Sequence, residues 1–206
     1  MIRAGWPMPT MLIATHPLRP ERFADLEALF GGKGCSFARG CWCMLYREVG
    51  KESPPEGVAL ADFRKSNLRG LAEADPAPGL IGYDAAGRPV GWVALGPRES
   101  FAKLQRSRVM RPVDDRPAWS VVCFVVPSVH RGQGVATALL QHAVRYAGNH
   151  GARIVEGYPI DKPRRSQGQW LWHGAKVMFD RAGFREVARR KPERAVMRIE
   201  LGKKAK

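Results

Sequence analysis

The sequence predicts a mixed α/β single domain, a largely antiparallel, twisted sheet flanked by helices, and three observations carry the prediction. Leu80 to Asp84 and Val90 to Leu95 flank the turn Ala85-Ala86-Gly87-Arg88, the pattern of an antiparallel hairpin. Trp119 to Val126 is an apolar, β-branched and aromatic run, suited to a strand buried on both faces. It is followed by a glycine-punctuated turn and by Thr137 to Tyr146, whose apolar residues recur at helical spacing. At 206 residues and 45% apolar, the chain supports one well-buried core and is short for two, so residues 1–206 are expected to form one domain with frayed ends at 1–10 and 202–206.

The elements follow in order. Met11 to Thr15 reads as a first strand. Pro20-Glu21 begin a helix that runs through Phe30 and stops at Gly31-Gly32, because proline suits a first helical turn and glycine a last one. Glu56 to Ala74 places Val58, Leu60, Phe63, Leu68 and Leu71 on a helical period, and the run ends in Asp75-Pro76-Ala77-Pro78-Gly79. After the hairpin, the polar, basic stretch Arg98 to Asp115 predicts a short helix and a connection. Ile154 to Tyr158 is a fifth strand, Gly174 to Arg181 a last helix, and Glu186 to Arg190 with Ala195 to Leu201 a terminal strand pair.

The segment Arg131-Gly132-Gln133-Gly134-Val135-Ala136 carries the functional signal. Gly132 and Gly134 let backbone amides approach a ligand without Cβ obstruction, and the free N–H groups of a starting helix favour an anion, most naturally a phosphate. A P-loop needs Lys-Ser/Thr after its last glycine, and a dinucleotide fold needs a third glycine; Val135-Ala136 meets neither requirement. An ordinary strand-to-helix turn is the plain alternative. The pattern R-x-x-G-x-A after V-x-P, in VVPSVHRGQGVATALL, resembles the GNAT superfamily of acyl-CoA-dependent N-acetyltransferases. The following GARIVEGYP strand and MFDRAGFREV extend the resemblance, which covers roughly Leu80 to Leu201.

That resemblance implies a GNAT-like fold with a V-shaped opening between the cofactor strand and Ile154 to Tyr158. It implies transfer of acetyl from acetyl-CoA to a primary amine of a small molecule or protein, by direct attack in a ternary complex and without a metal. Phe124, Val125 and Val126 would pair with the pantetheine arm as an added strand. The amides of Arg131, Gly132, Gln133, Gly134, Val135 and Ala136 would hold the pyrophosphate. A backbone N–H near Val126 would face the oxyanion, and Arg131 would touch phosphate or bridge to a surface carboxylate. Gly34 to Gly50, apolar but irregular, is expected over the acceptor side.

The chain departs from the family where many members carry a general-acid tyrosine before the G-F element, since Phe179 stands there. Candidates for the base and acid are Glu156 and Tyr158, which share one strand face with Ile154. Their plain alternatives are an arginine-paired carboxylate and a packed tyrosine. Asp114, Asp115, His130 and His173 are further candidates. Trp42, Trp170 and Trp172 would wall the acceptor side, or pack in the core. A non-catalytic acyl-CoA-binding protein on the same fold is the alternative that the missing tyrosine keeps open.

Charge and cysteine usage bound the rest. The net charge is +15, and from Asp161 to Lys206 fourteen Lys or Arg face five Asp or Glu, a surplus of nine. Nucleic-acid binding is therefore a second reading, weakened by the absence of aromatic-interleaved RNA motifs, zinc-finger spacing or a basic zipper. The surplus favours acidic or phosphorylated acceptors over polycationic ones. Cys35, Cys41, Cys43 and Cys123 match neither a disulfide framework nor a zinc site. No apolar run is long enough to span a bilayer, so a cytoplasmic monomer or homodimer without a membrane partner is expected.

Overall fold

A computed structural model describes residues 11–47, 53–161 and 172–202. The expectations placed on 1–10, on Trp170 and on 203–206 lie outside them. Seven strands form one sheet in the order β1-β2-β3-β4-β5-β7-β6, with β1 (Ala14–Pro17), β2 (Gly79–Tyr83), β3 (Pro89–Pro97), β4 (Trp119–Val125), β5 (Ile154–Gly157), β6 (Arg185–Lys191) and β7 (Arg194–Glu200). Every neighbouring pair is antiparallel except β4 and β5. That parallel pair needs a crossover, and α5 (Val135–Asn149) provides it.

The helices bury the two faces of the sheet. On one face α1 (Phe23–Gly31) and α2 (Ser36–Cys41) bring Phe23, Leu26, Phe30 and Ala38 onto Ile81, Trp92 and Val122. On the other, α5 and α6 (Lys176–Arg181) bring Leu139, Ala143, Met178 and Phe179 onto Val93, Val121 and Val155. All seven residues of β4 are buried, as its unbroken apolar run predicts for a central strand. α3 (Leu60–Leu71) packs beside α2, and α4 (Ala102–Gln105) follows a 3₁₀ turn at Arg98–Ser100.

Boundaries moved where pairing overrode local pattern. The first strand is Ala14–Pro17 rather than Met11 to Thr15, because its register is set by β2, which leaves Leu12 almost fully exposed. Pro20–Arg22 is a 3₁₀ turn ahead of α1, and the helix expected over Glu56 to Ala74 is the shorter α3. In β4 the register slips between Ala94 and Leu95, which face Cys123 and Val121, so Val122 is an inserted bulge residue. The β4–β5 ladder spans only Trp119 to Val121 against Val155 to Gly157. Beyond it the two strands no longer pair, and this parting is the V-shaped opening.

Candidate functional site

Where β4 ends, the backbone is turned by Gly132 and Gly134, both left-handed at φ +78° and +82°, a conformation glycine adopts without strain. Gly134 is the N-cap of α5. Ser128 N–H donates to the Lys33 carbonyl (2.9 Å) and His130 N–H to the Pro127 carbonyl (2.9 Å). Among the described residues, the amides of Gly132, Gln133, Gly134, Val135 and Ala136 find no backbone acceptor. The Gln133 side chain turns back onto the Val129 carbonyl (2.9 Å), away from these amides. A Cβ on Gly132 would meet nothing within 4 Å, so the loop is open on that side. Five successive amides without a backbone acceptor at a positive helix end are the kind of group that can hold an anion.

Arg131 does not join them. Its Nε donates to the Val126 carbonyl (2.9 Å) and its Nη2 to the Gly34 carbonyl (2.7 Å), so the guanidinium braces the loop against the segment after α1. Its partners here are two backbone carbonyls rather than a surface carboxylate. The three pantetheine positions also differ from one another. Phe124 N–H points into the opening but donates to the Trp172 carbonyl at 2.6 Å. Val125 stands opposite Trp92 in the β3 ladder. Val126 N–H has no backbone acceptor among the described residues.

Glu156 and Tyr158 lie at the closed end of the opening and are buried, at 1% and 0% exposure. Glu156 Oε2 accepts from Arg98 Nη1 (2.7 Å), while Oε1 accepts from Arg198 Nη2 (2.7 Å) and Nε (3.2 Å). Both carboxylate oxygens are thus engaged by buried guanidiniums. Tyr158 hydrogen-bonds to Arg98, Ser120 (2.8 Å) and Glu156 (3.1 Å). Burial, and then the Glu156 charge, push its phenol above the ordinary tyrosine range. Both residues thus sit in one buried hydrogen-bonded network, the arginine-paired carboxylate and packed tyrosine that are their plain alternatives. Asp114 is bound by Arg198 (2.7 and 3.1 Å), whose hydrogen bonds hold its carboxyl well below the usual range, and Asp115 is exposed.

His173, one of the further candidates, pairs with a residue that the sequence did not single out, Tyr46. Tyr46 Oη and His173 Nε2 are 2.8 Å apart. His173 is 1% exposed, and Nδ1 makes no hydrogen bond of good geometry. Burial, then the Arg194 charge, hold its imidazole well below the usual histidine range, with the Val122 carbonyl opposing; the ring is neutral at physiological pH. Burial pushes the Tyr46 phenol up to about 12. For Tyr46 the sequence signal was the irregular segment Gly34 to Gly50, which carries it. Phe179, in the place of the family tyrosine, is buried on the opposite face, with its ring against Gly157, Phe124 and Phe184.

The expected tryptophan wall separates into parts. Trp42 is a buried residue stacked on Phe23 (6.1 Å, 9°) and tilted against Phe30 (5.2 Å), so it belongs to the core. Trp172 is half-buried and stacks on Phe37 (4.6 Å, 16°). All four cysteines are free and buried, and Trp92 Nε1 donates to Cys43 Sγ (3.2 Å).

The match to known proteins falls on these elements. The family model described as the acetyltransferase (GNAT) family matches residues 42–162, which include β2 to β5, the glycine loop and α5. An acetyltransferase of Listeria monocytogenes shares the fold with TM-score 0.54 at 11% identity, over 93% of this chain and 96% of that one. The GNAT domain of the S. lividans PAT protein gives 0.54 at 16% identity, over 92% and 90%. A GNAT-family acetyltransferase of Streptococcus pneumoniae gives 0.50 at 13%, over 92% and 100%. No curated protein gives a significant sequence match. With its glycine loop, β4 bulge and parted β4–β5 pair, the chain belongs to the GNAT family and is an acetyltransferase.

Proposed function

We propose that the chain transfers acetyl from acetyl-CoA to a primary amine by direct attack within a ternary complex. The observation that carries this reading is the run of five amides, Gly132 to Ala136, aimed out of the α5 N-terminus beside the parted strands. When bound, acetyl-CoA supplies the thioester carbon and a thiolate leaving group. The five amides hold its pyrophosphate, and Val126 N–H offers a donor in the opening, where one such donor is typically worth about 3 kcal/mol of barrier. Phe124 N–H becomes available only by exchange of the Trp172 carbonyl that it now holds.

Proton handling falls to Tyr46 and His173 rather than to Glu156 and Tyr158. With a phenol raised to about 12, Tyr46 does not give up its proton fully at neutral pH; it donates a hydrogen bond to the departing sulfur while His173 fixes its direction. A thiol of ordinary pKa near 8.5 leaves tolerably as thiolate, so hydrogen bonding is enough there, and the proton lost by the attacking amine passes to solvent. Neutral His173 keeps a second cation out of a space already facing Arg194. Thiol release measured against both substrates tests the proposal: initial-rate lines that intersect are expected, and parallel lines would contradict direct attack.

A further inference from the structure

Three arginines reach the sheet face that carries Tyr46 and His173, and two are already answered. Arg98 is paired with Glu156 at 2.7 Å. Arg47 donates to the Pro78 and Leu95 carbonyls (3.2 and 3.0 Å) and lies over the Phe101 ring at 4.3 Å. Arg194 is different. It is half-buried, its Nη1 donates to the Tyr158 carbonyl (2.9 Å), and no carboxylate of the described residues lies within ion-pair distance of it. Glu156 is shared by Arg98 and Arg198, and Asp161 is held by Arg189 at 2.6 Å. Glu193 is exposed and acts on Arg194 only through its field, more weakly than Tyr46 does.

The position matters as much as the surplus charge. Arg194 opens β7 and bridges to Ile160, which also bridges to Ala175, so it stands where β5, β7 and the Trp172–Ala175 segment converge at the opening. Its charge is felt at both Tyr46 and His173. Desolvating a cation without an anion is costly, and a site that binds an anion recovers that cost when the ligand arrives. A guanidinium with one N–H engaged still presents a fork suited to a planar carboxylate.

We propose that Arg194 is the specificity residue for the acceptor, binding a carboxylate on the amine substrate, so that the preferred acceptors are amino acids or amino-acid-like molecules. This rests on the acetyl-transfer reading above. The test compares α-amino acids, β-alanine and γ-aminobutyrate with their carboxamides in acetyl-CoA-dependent thiol release, for wild type, Arg194→Met and Arg194→Lys. Acetyl-CoA affinity is measured separately by calorimetry. Carboxamides of α-amino acids have the less basic amines and so the larger unprotonated fraction at neutral pH, so a carboxylate preference cannot come from the supply of free amine.

The expected result is a wild-type kcat/KM at least 10-fold higher for the carboxylate partner. That ratio should collapse by about 10- to 100-fold in Arg194→Met through KM, with acetyl-CoA affinity kept, and be partly retained in Arg194→Lys. Equal use of both partners, a ratio unchanged in Arg194→Met, or acetyl-CoA binding with no turnover of any carboxylate-bearing amine would overturn the inference. Failure to bind acetyl-CoA at all would instead overturn the acetyl-transfer reading on which it rests.

Discussion

Replacing Glu156 with glutamine separates a scaffold carboxylate from a catalytic one. The substitution keeps shape but removes the anion that two buried arginines share, at 2.7 Å each. Arg198 retains Asp114 as a partner at 2.7 Å. Arg98 retains no carboxylate among the described residues, and its Nε is already buried without a partner. Breaking a buried pair from one side costs about 3–5 kcal/mol, because the other charge is stranded. With a urea m-value of roughly 2–3 kcal/mol/M, the unfolding midpoint should fall by about 1–2.5 M. Adding Arg98→Met removes the stranded charge and should recover part of that loss. Acetyl-CoA binding, measured where the variant is folded, should persist because the amide cradle is elsewhere. If the midpoint moves by less than about 0.3 M while thiol release disappears, Glu156 is the proton acceptor and the scaffold argument is wrong.

Three further outcomes follow from the same geometry. In Gly157→Ala the new Cβ would lie 2.1 Å from Phe179 Cε1, in a ring buried against Phe124 and Phe184, so overpacking should cost about 3 kcal/mol and lower Tm by roughly 6–12 °C; an unchanged Tm would show that the ring can yield. His173 is depressed well below 6.5 in the fold, so the unfolded chain binds the extra proton: its contribution is complete above 6.5 and is lost as pH falls, by roughly 1.4 kcal/mol at pH 5.5. Denaturation of wild type and His173→Gln across pH 8 to 5.5 should show that extra slope in wild type alone. Tyr46→Phe should lower kcat about 10- to 100-fold with acetyl-CoA affinity intact, and a kcat within twofold of wild type would remove Tyr46 from the reaction.

Local chemistry was readable where it acts locally. The β2–β3 turn is held by Asp84 Oδ1, which accepts from the Ala86 and Arg88 amides (3.0 and 2.9 Å), all within five residues. β4 announced itself because every position is buried, and the glycine loop because its two left-handed residues admit little else. The roles that changed depend on distant partners. Arg131 is fixed by a carbonyl 97 positions away, and Glu156 by arginines 58 and 42 positions away. No periodicity encodes such pairings. The same holds for the C-terminal charge surplus. Arg189 is paired with Asp161 and Glu186, Arg190 is pinned to the Arg111 and Pro112 carbonyls (2.7 and 3.0 Å), and Arg198 is buried. These three arginines of the surplus are thus engaged with protein groups.

The central claim is that acetyl-CoA is held by the α5 N-terminal amides, and calorimetric titration of wild type and Ala136→Glu tests it most directly. Ala136 is half-exposed in the first turn of α5 with helical backbone, so a carboxylate there suits the helix while repelling a pyrophosphate. Saturable acetyl-CoA binding by wild type, lost in a variant that unfolds at the same or a higher temperature, is the predicted result. Equal binding by both proteins would place the cofactor elsewhere, and no binding by wild type would contradict the account at its base.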